Sequence, residues 1–165
     1  MQAIKPVDYS SQLFFLSEQC QEKLDRLDPR LAECVRIAQA ISDIQLLVVE
    51  GKRTKSTHEE FFKKGITNDP TNSVHFYGLA VDIVPVIEGR LTLEHDTFMD
   101  VVDVMHHAAV ETDLKIQWGG APQVPDIRYP EKFWEDYCID FIDAQRLAKR
   151  RPFLELHHFE VSPDD

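Results

Sequence analysis

Two short stretches of this sequence carry residues whose types and spacing could do chemistry. The first, Ser73-Val74-His75-Phe76-Tyr77-Gly78-Leu79-Ala80-Val81-Asp82, sets an imidazole and a carboxylate seven residues apart with a glycine between them. The second, Glu155-Leu156-His157-His158-Phe159-Glu160, packs two histidines and two carboxylates into six residues. Two histidines and one carboxylate are ligands that a catalytic zinc takes, with one coordination position left for water. A further glutamate beside such an ion could accept a proton from that water.

Each cluster has a plainer reading. Successive side chains of a strand alternate faces, so Ala80, Asp82 and Val84 share one face and Leu79, Val81 and Ile83 the other. An aspartate between valine and isoleucine needs a partner, because an unpaired buried charge is very costly. A metal ion would supply one, with Gly78 bending the chain so that His75 returns to Asp82. A salt bridge from Asp82 to a base such as Arg53, with His75 at the surface, would supply another. In the second cluster strict alternation puts Glu155 and His157 on one face, His158 and Glu160 on the other. A ligand role for His158 beside Glu155 requires an irregular chain around Leu156, with the regular strand starting near His157. Spacing alone leaves the choice of histidine open. His106 and His107 are adjacent in a helix, about 100° apart, and cannot chelate one ion together. His58 and His95 sit near helix starts and read as solvated. Asp126, Glu131, Glu135 and Asp136 read as an acidic surface stretch without the ligand spacing of a calcium loop.

The elements that must position these residues follow from periodicity and breakers. Helical spacing over residues 10–24 puts Leu13, Leu16 and Cys20 on one side. Asp28-Pro29 reads as an N-cap and first residue of a second helix, with Leu31, Val35, Ala38 and Ile41 in a stripe that ends near Ser42. Residues 44–49 form a buried strand broken by Gly51. A short helix over 56–64, capped by Ser56 or Thr57, stops at Gly65. Residues 68–72 are loop, 79–86 a strand closed by Pro85 and the Glu88-Gly89 turn, 93–111 a long helix and 114–118 a short strand. A proline- and glycine-rich loop over 119–130 precedes a helix over 133–150 and a last strand over 153–161. Together they predict an α+β fold: a small, mostly antiparallel sheet with helices packed on it. The whole chain, 1–165, reads as a single domain, with a helical part over 1–43 and a core that carries the clusters over 44–165.

With 165 residues and a formal net charge of -11, the chain lacks the clustered bases that nucleic-acid binding or docking to an anionic membrane would need. No apolar run reaches the length of a membrane span, and the N-terminus does not have the pattern of a secretory signal. Three widely spaced cysteines, Cys20, Cys34 and Cys138, form no zinc-knuckle or redox pattern and read as reduced, mostly buried thiols.

Taken together, Ser73, His75, Gly78, Ala80 and Asp82, followed far downstream by Glu155, His158 and Glu160, resemble the LAS-type zinc peptidoglycan peptidases (lysostaphin, D-Ala-D-Ala metallopeptidase, hedgehog fold). Within that group the likeness is nearest to the L-alanyl-D-glutamate endopeptidases of bacteriophage endolysins. Val49-Glu50-Gly51-Lys52-Arg53-Thr54 is similar to the strand-turn in which these enzymes carry an arginine. Trp118-Gly119-Gly120 resembles their Trp-Gly-Gly element. The resemblance runs in order from about residue 46 to 161. It implies that His75, Asp82 and His158 hold Zn²⁺, that Glu155 is the proton acceptor, and that Arg53 stabilises an oxyanion or holds a substrate carboxylate. Ser73 and Glu160 would support them, Ser73 by hydrogen bonding or by capping a loop, and Glu160 by orienting a histidine ring; Trp118 would pack. Two departures bear on the substrate cleft: Ala121-Pro122 follows Trp-Gly-Gly where many relatives have an aspartate and a tryptophan, and the segment 121–152 is long.

The implied activity is cleavage of the L-Ala–D-Glu bond in the peptide stem of peptidoglycan, by a monomer made in the host cytoplasm and acting on the cell wall, in the periplasm, after release. Alternatives are a D,D- or L,D-carboxypeptidase or dipeptidase acting on stem termini, and a non-catalytic zinc-containing wall-binding module.

Overall fold

The computed structural model describes residues 16–66 and 73–164. The first part of the helix expected over 10–24, and the loop expected over 68–72, lie outside them. Two helices come first. Helix α1, Glu18–Leu24, starts at Ser17, whose side chain accepts from the Cys20 amide, and it buries Cys20 and Leu24. Helix α2, Pro29–Ile41, starts at Asp28, whose carboxylate accepts from the Arg30 amide, with proline in the first turn. Leu31, Val35 and Ala38 form its buried stripe, as the spacing predicts, whereas Ile41, expected in the same stripe, is exposed at the end of the helix.

Strand β1, Gln45–Glu50, leads into α3, Lys55–Lys63. The cap of α3 is Thr54, whose hydroxyl accepts from the Thr57 amide, so the helix starts a residue or more before the caps read from sequence. A single 3₁₀ turn, Val74–Tyr77, precedes β2, Ala80–Ile87. Glu88 and Gly89, with φ of 50° and 74°, turn the chain into the two-residue strand β3, Arg90–Leu91. Both positive φ values suit the twist of a tight hairpin. Helix α4, His95–Thr112, strand β4, Ile116–Trp118, and helix α5, Trp134–Leu147, follow. The last strand, β5, is only His158–Val161; residues 151–157 are irregular. That corrects the longer strand expected over 153–161 and matches the irregularity required around Leu156.

All strand pairs are antiparallel, in the order β1-β2-β5-β4, with β3 pairing the end of β2. The fold is α+β. Helices α2 and α4 pack on each other, α4 packs on β2, and α1 packs on β1. Leu31, Val35, Leu46, Val81, Ile83, Met105, Ile116 and Phe159 meet in the core between helices and sheet. All three cysteines are free and buried. Burial pushes the thiols of Cys34 and Cys138 up to about 12, which makes them inert rather than reactive.

Register then decides what stands on the other face. Val48 pairs with Ile83, yet Asp82 pairs with Glu50, because β1 bulges between Val48 and Glu50. Without that extra residue Glu50 would follow Leu46 and Val48 into the core. Asp82 also pairs with His158 of β5. Glu50, Asp82 and His158 therefore form one polar row across three strands. Ala80, Glu160 and Gln117 form a second row beside it.

Candidate metal centre

His75 reaches the row from the 3₁₀ turn. The Ser73 hydroxyl accepts from the His75 amide and starts the turn, and Gly78 ends it at φ 68°. A Cβ on Gly78 would lie 3.0 Å from the Arg26 carbonyl, so the left-handed turn and the packed helical segment both require glycine. The turn folds His75 back to Asp82, with its Nε2 3.5 Å from Asp82 Oδ1. Its Nδ1 lies 2.9 Å from the Gly51 carbonyl. A carbonyl only accepts, so Nδ1 donates to it, and Nε2 is the nitrogen that faces Asp82. His158 is oriented the other way round: Nδ1 is 3.0 Å from Asp82 Oδ1 and Nε2 is 2.7 Å from Glu160 Oε2.

One ligand atom from each of His75, Asp82 and His158 lies within 4.8 Å of the other two. Asp82 and His75 are 6% and 4% exposed. The donor set is two imidazole nitrogens and one carboxylate oxygen, each ring tied by its second nitrogen to an acceptor. This is how protein ligands to a catalytic metal are held. The residues present therefore fit a divalent ion. The three groups also satisfy one another electrostatically. Burial alone would raise the Asp82 pKa, but hydrogen bonds from His158 and His75 outweigh it and hold the carboxyl well below its usual range. Burial alone would lower the His158 pKa, but Asp82 and Glu160 outweigh it and push the imidazole up to about 10.

The alternative pairing of Asp82 with Arg53 is not formed. Arg53 donates from Nε and Nη2 to the two oxygens of Glu50, at 2.5 and 2.8 Å. Its backbone amide donates to the His75 carbonyl, tying the β1–α3 loop to the 3₁₀ turn. Glu155 is exposed and lines the same cavity of about 570 Å³ as Arg53, His75, Asp82 and His158. It also lines an adjoining cavity of about 210 Å³ with Gln117, Pro122 and the exposed Phe153. The structure thus brings Arg53, Ser73, His75, Asp82, Glu155, His158 and Glu160 to one cavity.

Backbone geometry places Glu155. Its amide donates to the Gly119 carbonyl, and the Gly119 amide donates to the His158 carbonyl. Trp118 is fully buried and donates from Nε1 to the Leu156 carbonyl, so it packs and anchors the irregular segment. A Cβ on Gly119 would lie 2.3 Å from the Glu155 carbonyl oxygen and 2.8 Å from the Glu155 Cβ. Gly119→Ala is expected to displace Glu155 from the cavity and to lower the melting temperature by about 5 °C, as overpacked sites do. An alanine variant with parental melting would show that this close approach does not matter.

Sequence reasoning missed two residues. His58, expected at the surface, is fully buried, with Nδ1 3.0 Å from Arg53 Nη1. Glu50, which clasps Arg53, reaches the site through the bulge. The only available signal was the short spacing among Glu50, Arg53 and His58. Among the other histidines, His106 bonds the Ile127 carbonyl, His107 faces Asp103 and His95 faces Glu135. Asp126 pairs with Arg128 rather than joining an acidic cluster.

An α+β domain with two histidines and an aspartate converging in a cavity, on the sheet face away from its helical core, is built as a metallohydrolase is built. The family model for phage L-alanyl-D-glutamate peptidase matches residues 12–140, and the chain belongs to that family. The matched span holds Arg53, Ser73, His75 and Asp82 and stops before Glu155, His158 and Glu160. The L-alanyl-D-glutamate peptidase of Escherichia phage T5 is 26% identical over 109 residues, covering 64% of this chain and 80% of the relative. The crystal structure of the L-Ala D-Glu endopeptidase ChiX of Serratia marcescens is similar in fold. It has a TM-score of 0.66 at 20% identity and covers 93% of each chain.

Proposed function

We propose that this chain is a zinc-dependent peptidoglycan hydrolase of the phage endolysin type, cutting the L-Ala–D-Glu bond of the peptide stem. The observation that carries the reading is the convergence of two imidazoles and a carboxylate within 4.8 Å in a cavity that also holds a carboxylate and a guanidinium. The substrate class comes from the family to which the chain belongs and from the named activity of its phage T5 relative.

His75 Nε2, an Asp82 oxygen and His158 Nδ1 would hold the ion; nitrogen and oxygen donors in this ratio suit zinc. When bound, the ion supplies Lewis acidity and a water whose proton is lost near neutral pH. Glu155 takes the proton of the attacking water and delivers it to the leaving amine nitrogen. Arg53 offers N–H donors to the developing oxyanion or to a carboxylate of the stem. Glu160 keeps the His158 ring turned so that Nδ1 faces Asp82. Ser73 starts the turn that delivers His75.

Among the described residues no helix is long and apolar enough to cross a membrane. The protein is proposed to reach the wall after release from the cell that makes it, and to act as a monomer. Digestion of purified sacculi tests the reaction: new N-terminal D-Glu is expected among the products. Released D-Ala without it would assign a carboxypeptidase instead, and intact sacculi would leave a binding module.

A further inference from the structure

We propose that His58, acting with Glu50, is a positioning residue that pre-aims the Arg53 guanidinium at the substrate; the proposal rests on the role given to Arg53 above. Arg53 is gripped on three sides. Glu50 takes Nε and Nη2, His58 Nδ1 lies 3.0 Å from Nη1, and the Phe61 ring lies under the guanidinium carbon at 4.9 Å. The arginine side chain is only 9% exposed. A guanidinium donates and never accepts. His58 Nδ1 must therefore be the acceptor, which fixes the ring as the neutral tautomer with its proton on Nε2. That ring packs edge to face with Phe76, the neighbour of His75, with centroids 4.6 Å apart. His58 thus bridges the arginine and the turn that carries a metal ligand.

The grip leaves two of the five guanidinium N–H groups, one on each terminal nitrogen. The arginine lines the cavity with Asp82 and Glu155, and both carboxylates add to the pull of Glu50 in raising its pKa. A free arginine loses rotamer entropy when it is fixed on a ligand. Here that ordering is complete before substrate arrives, which is how preorganised donors lower a barrier. A buried histidine that merely filled the core would not need its acceptor nitrogen on the one arginine of the site.

The test is a double-mutant cycle on a soluble L-Ala–D-Glu stem peptide, reading kcat and KM for the parent, His58→Leu, Arg53→Ala and the double variant. Arg53→Ala is expected to lower kcat/KM about 100-fold, His58→Leu about 10-fold, and the double variant no further than Arg53→Ala alone. His58→Asn, whose Oδ1 stands where Nδ1 stood, is expected to recover most of the loss. His58→Gln, whose oxygen reaches only the Nε2 position, is not. If His58→Leu does not fold, the Asn and Gln pair carries the same comparison. Equal losses from His58→Leu with and without Arg53, or equal activity of the Asn and Gln variants, would make His58 a packing residue and overturn the proposal. Parental activity of Arg53→Ala would instead remove the role of Arg53 itself, and the proposal with it.

Discussion

Glu155→Ala is expected to lower the rate of sacculus digestion by about three orders of magnitude, the usual worth of a positioned general base, while leaving the bound metal in place. Glu155 stands on the irregular segment between α5 and β5, exposed at the mouth of the cavity. It makes no ligand contact in the cluster of His75, Asp82 and His158, so removing its carboxylate costs the ion nothing directly. The measurement pairs a turbidity or product assay with metal analysis of the purified variant. Lysis at the parental rate would strip Glu155 of its role. Loss of metal together with activity would move Glu155 from proton transfer to metal retention.

Stripping the ion should have the second large effect. A cation present at about a thousandfold its Kd stabilises a fold by about 4 kcal/mol. In a chain of this size that amounts to about 8–16 °C of melting temperature. Dialysis of the parent against a chelator is expected to lower the melting temperature by roughly that amount, and Asp82→Ala is expected to erase the difference between chelated and metal-loaded protein. Equal chelator effects in parent and variant would exclude Asp82 as a ligand.

The size of the drop should also depend on pH. In the metal-free protein the His158 pKa is pushed from 6.5 up to about 10 by Asp82 and Glu160. A raised folded-state pKa contributes stability that is complete below pH 6.5 and lost as pH rises through about 10. Ligation needs the neutral ring. Chelation is thus expected to cost more at pH 9 than at pH 6.5. At the acid end Asp82, held below its ordinary 3.8, loses its contribution as pH falls through its depressed value. A drop independent of pH between 6.5 and 9 would argue that His158 is already neutral in the metal-free state.

Much of the site was legible in the amino-acid order. An aspartate inside an aliphatic strand signals a charge that must be met, and a glycine between it and a histidine signals the turn that meets it. The irregularity demanded around Leu156 appears as the segment that presents Glu155 and lets β5 begin at His158. The rest depended on tertiary events without a local signature. The bulge between Val48 and Glu50 inverts which side chains of β1 face the cavity, and no pattern of types distinguishes it from a regular strand. His58 lies on a helix of mostly polar sequence, which reads as solvated until the arginine packs on it. The cap of α3 fell to Thr54 among several hydroxyl candidates, a choice made by the loop tied to the 3₁₀ turn rather than by residue preference.

The strand order carries a further consequence. β5 leaves the ribosome after both β2 and β4, yet it lies between them, and the Asp82–His158 contact spans 76 positions. A nascent chain that has emerged only as far as α5 has two raw strand edges where the sheet should be continuous. It also has only two of the three residues proposed to hold the ion. The three side chains are therefore expected to converge only when a four-residue strand enters that gap, and a chain that lacks it exposes two unpaired edges.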